Sequence, residues 1–203
     1  MNYVRPDVEI ERLDSSRLGE ASAVLARAFN DDPAWVWLFP NPRRRAEVLP
    51  WLFRAGFDAT AADVWTTRGA VLGAARWLPP GRAPMRVAPT LRALMITPLR
   101  LGSATGRFFA YGRAVENLRL RIAPGPHWYL AGIGVDPHSQ RQGIGSALLR
   151  PGVDGAARDA LPAVLLTNNE RNLSFYERHG FEIAAEGETP EGGPHAWAMV
   201  RSP

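Results

Sequence analysis

Between Trp128 and Leu149 the chain passes through three textures in an order that few folds accommodate. An apolar stretch, Trp128 to Val135, reads as a strand. Asp136-Pro137 stops it, because proline has no N–H to give to a ladder. The polar hexapeptide Gln140-Arg141-Gln142-Gly143-Ile144-Gly145 follows, and then apolar residues at helical spacing. Glycines at the head of a helix leave backbone N–H groups uncovered at the positive end of its dipole. Such a turn suits a phosphate: Gly143 and Gly145 permit close approach, Arg141 adds positive charge and Ser146 adds a hydroxyl. A plain strand-to-helix connection is the alternative reading of the hexapeptide alone. A dinucleotide-binding turn fits less well. Ser146, Ala147 and Leu148 stand where a third glycine would be needed, and the strand Ala163 to Leu166 ends without a ribose-binding carboxylate. A second Gly-x-Gly, Gly132-Ile133-Gly134, falls inside the strand and is expected to mark a bulge or a close backbone approach.

Strand and helix signals alternate along the rest of the chain. Val8 to Leu13 alternates apolar and charged residues as a half-buried strand does. Asp14-Ser15-Ser16 offers N-caps to a helix over Arg17 to Phe29, with Leu18, Ala21, Val24, Leu25 and Ala28 on one face. Asn30-Asp31-Asp32-Pro33 breaks it, and a second helix is expected from Pro42 to Asp58. Val64 to Thr67 and Ala70 to Leu78 flank Arg68-Gly69 as strands flank a tight turn. Thr90 to Ile122 reads as two helices broken near Pro98 and Gly102. After the glycine turn come a helix from Gly143 to Ala160, kinked or frayed at Pro151-Gly152, and a short strand from Ala163 to Thr167. A helix from Glu170 to His179 ends on Gly180, and the strands Phe181 to Glu186 and His195 to Arg201 close the chain. The class is α/β or α+β with one mixed sheet.

A length of 203 residues suits a single domain. The chain has no cysteine, which excludes disulfides, zinc–thiolate sites and cysteine nucleophiles. All 24 basic residues are arginine, and the net charge is +4. Nucleic-acid readers cluster such charge on one face, and the one tight cluster, Arg43-Arg44-Arg45, reads as a solvated helix start. An anionic small ligand accounts for the excess equally well. Charges interrupt the N-terminus, unlike a signal peptide, and Leu91 to Leu101 is too short and too charged to span a bilayer. The expectation is a cytoplasmic protein with no nucleic-acid, membrane or metal partner.

A second segment gives the glycine turn its meaning. The strand at Ala163 leads into Asn168-Asn169-Glu170-Arg171-Asn172-Leu173-Ser174-Phe175-Tyr176-Glu177-Arg178-His179-Gly180-Phe181. The glycine turn resembles the [Gln/Arg]-x-x-Gly-x-[Gly/Ala] motif of the GNAT acetyltransferase superfamily. The second segment resembles that superfamily's Asn-x-x-x-x-x-[Phe/Leu]-Tyr-Glu-x-x-Gly-Phe motif. A closer likeness runs from about His127 to the C-terminus. There Val135-Asp136-Pro137, Gly145 to Leu149, Arg171 to Arg178 and Thr189-Pro190-Glu191-Gly192 are similar to the bacterial group of puromycin N-acetyltransferase-like enzymes. Ala28 to Pro33 is similar to the same group, and the likeness is thin from Pro42 to Pro126.

The resemblance implies one GNAT domain over residues 1–203, with its coenzyme-binding part at about 127–181. It implies a mostly antiparallel mixed sheet of about seven strands, flanked by helices, in which two parallel strands splay to receive acetyl-CoA. Ile133, Gly134 and Val135 would border the pantetheine arm, and bulged backbone at Gly132 or Gly134 would free an N–H for the oxyanion. The pyrophosphate would sit on Arg141, Gln142, Gly143, Ile144, Gly145 and Ser146, while Asn169 and Asn172 would border the coenzyme arm. Tyr176 takes the position of the family's tyrosine general acid, since a phenol with an ordinary pKa near 10 suits proton donation to a leaving thiolate. Relatives of the puromycin enzyme carry a glutamate on the strand before the asparagines, where this chain has Leu166. Other residues for the base or the acceptor are Asp32, Glu116, His127 and Tyr129, and the aromatics Phe29, Trp35, Trp37, Phe39, Trp128 and Tyr129 could stack on an aromatic amine, with membership of the core as the alternative reading.

The implied function is N-acetyl transfer from acetyl-CoA to a primary amine of a small molecule, by direct attack in a ternary complex. The implied enzyme is a monomer or homodimer. A protein lysine or N-terminal acetyltransferase, and a non-catalytic acyl-CoA sensor, are the two alternatives.

Overall fold

The computed structural model describes residues 8–58, 64–82, 97–189 and 192–203, with the backbone alone at 57–58. Seven strands form one sheet in the order β1-β2-β3-β4-β5-β7-β6. They are β1 (Ile10–Arg12), β2 (Val64–Thr67), β3 (Gly73–Leu78), β4 (Trp128–Val135), β5 (Ala163–Thr167), β6 (Glu182–Glu188) and β7 (His195–Arg201). Neighbours are antiparallel except β4 and β5. The helices are α1 (Leu18–Ala28), α2 (Pro33–Leu38), α3 (Pro42–Asp58), α4 (Thr105–Ile122), α5 (Ile144–Arg158) and α6 (Leu173–Glu177). Among the described residues no helix is long and apolar enough to cross a membrane.

α5 covers one face of the sheet. Its Ile144, Leu148, Leu149 and Ala156 pack with Ala75, Trp77, Leu130, Leu165, Phe181 and Met199. Pro151 sits inside this helix, where it removes an N–H from the ladder, and Trp77 Nε1 donates to the nearby Leu148 carbonyl at 3.1 Å. Gly152 faces the same indole: a Cβ there would lie 1.9 Å from Trp77 Cδ2. The expected fraying at Pro151-Gly152 is absent because the indole holds that turn down. α1 covers the other face, where Leu18, Ala21, Val24 and Leu25 bury against Leu13, Val64, Val71 and Ala74. Gly134 lets it dock, since a Cβ at that position would meet Leu25 Cδ2 at 2.8 Å and Ala28 Cβ at 2.9 Å.

Two local expectations need correction. The hairpin joining β2 and β3 is not a two-residue turn. β3 begins at Gly73, and Thr67 Oγ1 organises the intervening loop by donating to Ala70 O at 2.6 Å and accepting from Leu72 N at 2.9 Å. The arginine triplet is not wholly solvated. Arg45 is only 5% exposed and donates to Asn30 O at 2.5 Å, in the loop between α1 and α2, and to Phe39 O at 2.7 Å, at the end of α2. The helix expected over Thr90 to Ile122 is described from residue 97; its start, together with Pro190 and Glu191 of the last turn, lies outside the described residues.

Candidate functional site

The parallel pair opens part-way along. β4 and β5 are matched from Trp128↔Ala163 to Leu130↔Leu165, yet β4 continues to Val135 and β5 to Thr167. The ladder stops where β4 is irregular. Arg76 of β3 faces Gly132 and Trp77 faces Leu130, so Ala131 is the extra residue. The bulge expected at Gly132 or Gly134 therefore lies at Leu130–Gly132, with Gly134 in regular register opposite Ala74. The bulge keeps Ile133 and Val135 on the core of α5 and turns Gly134 to α1. With these side chains packed inward, β4 offers backbone to a ligand on its β5 side.

The glycine turn stands at the far end of β4. Arg27 of α1 donates twice to Asp136 Oδ2, at 2.8 and 2.6 Å, and this ion pair holds the Asp136 carboxyl below its ordinary pKa. Asp136 in turn caps the short helix Pro137–Ser139 through His138 N. Arg141 (φ 62°) and Gly143 (φ 85°) are both left-handed, which curls the backbone around the start of α5, a form that backbone anion sites share. Left-handed backbone at a non-glycine residue such as Arg141 costs on the order of 1–3 kcal/mol and concentrates at functional sites. Arg141, Gln142 and Ile144 line a cleft of about 650 Å³ with Val8, Arg68 and Leu72. Gly145 has a packing role as well, since a Cβ there would come within 3.2 Å of Phe175 Cζ.

Asp32 heads α2 and Tyr176 lies on α6, and both are largely buried. Tyr176 packs its ring against Phe175 and Phe181 and is only 5% exposed. Burial, and then the charge of Asp32, raise its pKa well above the ordinary phenol value. Asp32 caps α2, with Oδ1 accepting from Ala34 N at 3.0 Å, and Pro33 takes the first helical position. Burial pushes the Asp32 carboxyl up to about 6 against the opposing pull of the Ala34 and Trp35 N–H groups. Tyr111 of α4, which the sequence did not single out, is raised by burial and then by the charge of Asp32, and it donates to Asn168 Oδ1 at 2.5 Å.

Glu116, His127 and Tyr129 gather instead around Arg119, which is 5% exposed. Arg119 donates to both Glu116 oxygens, at 2.8 and 2.5 Å, and to His127 Nε2. His127 Nδ1 donates to Gly125 O at 2.7 Å, so both ring nitrogens have partners, and burial lowers its pKa. The Arg119 guanidinium lies 5.4 Å from the centroid of Tyr129, whose hydroxyl burial pushes up to about 12. Leu166 packs beside Leu78, Tyr129 and Val164, an apolar environment in which a carboxylate would need a partner. Asn169 Oδ1 accepts from Arg171 N and caps the turn before α6, while Asn172 at the head of that helix makes no side-chain cap. Trp35, Trp37 and Phe39 form a satellite core with Leu38, Val48 and Leu101, and Phe29 rests on Phe53. Trp128 lies on the opposite face, against Gly155 of α5.

A mixed sheet whose one parallel pair opens part-way, with a left-handed turn after β4 at the head of α5, defines the class of fold. A sequence profile of the Acetyltransferase (GNAT) family matches residues 27–181, and the chain belongs to that family, whose members use acetyl-CoA. A Corynebacterium glutamicum structure described as histone acetyltransferase HPA2 and related acetyltransferase is similar at 23% identity and a TM-score of 0.70, over 97% of this chain and 96% of that one. Arylalkylamine N-acetyltransferase 2 from Aedes aegypti is similar at 11% identity and a TM-score of 0.66, over 97% and 99%. The ribosomal-protein-S18-alanine N-acetyltransferase from Escherichia coli is similar at 18% identity and a TM-score of 0.54, over 96% and 92%. At these identities the likeness is one of fold.

Proposed function

We propose that this protein is an N-acetyltransferase that moves the acetyl group of acetyl-CoA to a primary amine of a small molecule by direct attack. The observation that supports this reading is the opening of the parallel pair β4–β5 beyond Leu130↔Leu165, with the left-handed turn at Arg141 and Gly143 after β4 and the buried Tyr176 on α6 after β5. Backbone of Ile133, Gly134 and Val135 borders the pantetheine arm, and N–H groups from Arg141 to Ser146 hold the pyrophosphate, with Asn169 and Asn172 alongside. The bound donor supplies an activated thioester carbonyl. Asp32, ionised at neutral pH, accepts a proton from the acceptor's ammonium, and an N–C bond then forms as the C–S bond breaks. Tyr176 keeps its proton at neutral pH and gives it to the departing sulfur, and the proton that the acylated nitrogen then sheds returns to the Tyr176 oxygen. Glu116 and His127, already bonded to Arg119, belong to the scaffold in this reading.

Small acceptors are compatible with this fold, as the arylalkylamine and agmatine N-acetyltransferases of similar fold illustrate. The motif likeness to puromycin N-acetyltransferase-like enzymes supports a kinship with that bacterial group, and Leu166, where those relatives carry a glutamate, argues against puromycin as acceptor. The test is thiol release from acetyl-CoA with a panel of amines. Turnover by the wild type is expected, and Tyr176→Phe is expected to lower it by about a hundred-fold or more while coenzyme affinity is kept. Coenzyme binding without turnover on any amine overturns the reading.

A further inference from the structure

A second cleft, of about 660 Å³, lies between α5 and the strands β1 to β4. Small-molecule sites occupy roughly 300–1,000 Å³, so it can hold one. Its lining includes Arg12 of β1 and Trp65 of β2. α5 contributes Arg150, Asp154 and Arg158, whose four-residue spacing sets them on one helix face. Of the residues assigned above to acetyl-CoA, none lines this cleft. Val8, Glu9 and Arg68 line both it and the cleft at the glycine turn, so the two adjoin.

Two properties of the lining select a ligand. Three of the seven tryptophans, Trp65, Trp77 and Trp128, line the cleft and give a planar ring surfaces to lie against. Two of them are fixed by α5. Trp77 Nε1 bonds to Leu148 O, and Trp128 Nε1 donates to Asp159 Oδ2 at 2.9 Å. The Trp128 ring fills the space of a side chain at Gly155, where a Cβ would lie 2.6 Å from its Cζ2. The Arg12 guanidinium lies 4.7 Å from the centroid of Trp65, a stack that a further aromatic plane can extend. The second property is charge. Arg12, Arg68, Arg150 and Arg158 stand against two carboxylates, Glu9 and Asp154, and Glu9 is already paired with Arg68 at 2.8 Å. That balance attracts an anion. We infer that this cleft is a second ligand site that takes a planar aromatic anion, its ring stacked on Arg12 and its carboxylate or phosphate held by Arg150 and Arg158. The site is separate from the proposed acetyl transfer.

Calorimetry on the full chain tests it, with indole-3-acetate and adenosine monophosphate as probes and saturating coenzyme A present. At least one anion is expected to bind; the tighter of the two tells an aromatic carboxylate from a nucleotide. Indole-3-acetamide, the same ring without the charge, is expected to bind at least about ten-fold more weakly than indole-3-acetate, as for a lost charge-assisted hydrogen bond. Arg150→Ala and Arg158→Ala, at exposed helix positions where alanine is well tolerated, are each expected to weaken the bound anion by a similar factor and to leave coenzyme A affinity unchanged. Absence of binding by both anions at millimolar concentration overturns the inference, as does affinity that neither substitution alters. Displacement of the probe by coenzyme A also overturns it, because the anion then occupies the coenzyme's own site. Binding is the only readout, so a failure of acetyl transfer on every amine would leave this result standing.

Discussion

Burial, and then the charge of the Asp32 carboxylate, raises the pKa of the Tyr176 hydroxyl, with Asp32 at the head of α2 and Tyr176 on α6. Such a pair divides the labour of acyl transfer: the acid that gives up its proton near pH 6 can take one from an amine, and the phenol that holds its proton can deliver it to sulfur. Activity is therefore expected to rise with pH through about 6 as Asp32 ionises. Asp32→Asn removes that limb and lowers kcat/KM by roughly 10²- to 10⁴-fold, the usual range for a lost acid–base group. A pH–rate profile on both proteins checks it, and a surviving limb in the variant would count against Asp32.

The same substitution has a separate signature in stability. The folded-state pKa of Asp32 lies above the ordinary carboxylate value of 3.8, so the fold binds the proton more tightly than the unfolded chain. Its stabilising contribution is complete below the unfolded value and is lost as pH rises to about 6. Asp32→Asn keeps a side-chain oxygen for the Ala34 cap and lacks this slope. Denaturant titrations at a series of pH values should show the wild type losing stability relative to the variant over that window.

Much of this site was legible in the sequence, for physical reasons that differ by element. β4, β5 and β7 fall where the apolar runs and the Asp136-Pro137 stop place them, because a strand buried on both faces leaves a continuous apolar signature. The turn from Gln140 to Gly145 was legible because few residues tolerate positive φ. The bulge was not, because Gly132 and Gly134 suggest backbone freedom while the register places the extra residue at Ala131. Tyr111 and Asn168 escaped notice for a different reason. The residues lie 57 apart in sequence, and their contact depends on tertiary packing that no local pattern encodes.

Arg119 separates structural from chemical acids. Glu116 meets it with both oxygens, and their side chains are 27% and 6% exposed. Glu116→Ala would leave a buried guanidinium without its counter-ion, which costs about 3–5 kcal/mol. The expected result is a large fall in denaturation midpoint, with turnover kept within a few-fold at a temperature where the variant is folded. A turnover loss of about a hundred-fold in folded protein, the scale of a missing acid–base group, would make Glu116 the base instead.

Gly152 and Trp77 set the seat of α5 on the sheet, and hence the position of the glycine turn at its head. A methyl group at Gly152 would overlap the Trp77 ring at 1.9 Å, and the indole cannot withdraw without giving up its bond to Leu148 O. Gly152→Ala is expected to destabilise by at least about 1–3 kcal/mol, the range for overpacked cores. A thermal or urea denaturation series reads this directly, and a variant of wild-type stability would show that α5 can shift freely over β3.

Gly143 tests the anion site with little disturbance to the core. Its φ of 85° makes any side chain there strained by roughly 1–2 kcal/mol, but a Cβ would meet nothing nearer than Val8 Cγ2 at 4.0 Å. Space is therefore not the obstacle, and a charge can be introduced where the turn gathers its N–H groups. Gly143→Ala controls for the backbone strain and should weaken coenzyme A binding only modestly. Gly143→Glu adds an anion beside the pyrophosphate position and should abolish measurable binding by calorimetry while the melting curve tracks that of the alanine variant. Equal affinity of the two variants for coenzyme A would mean that the phosphates lie elsewhere.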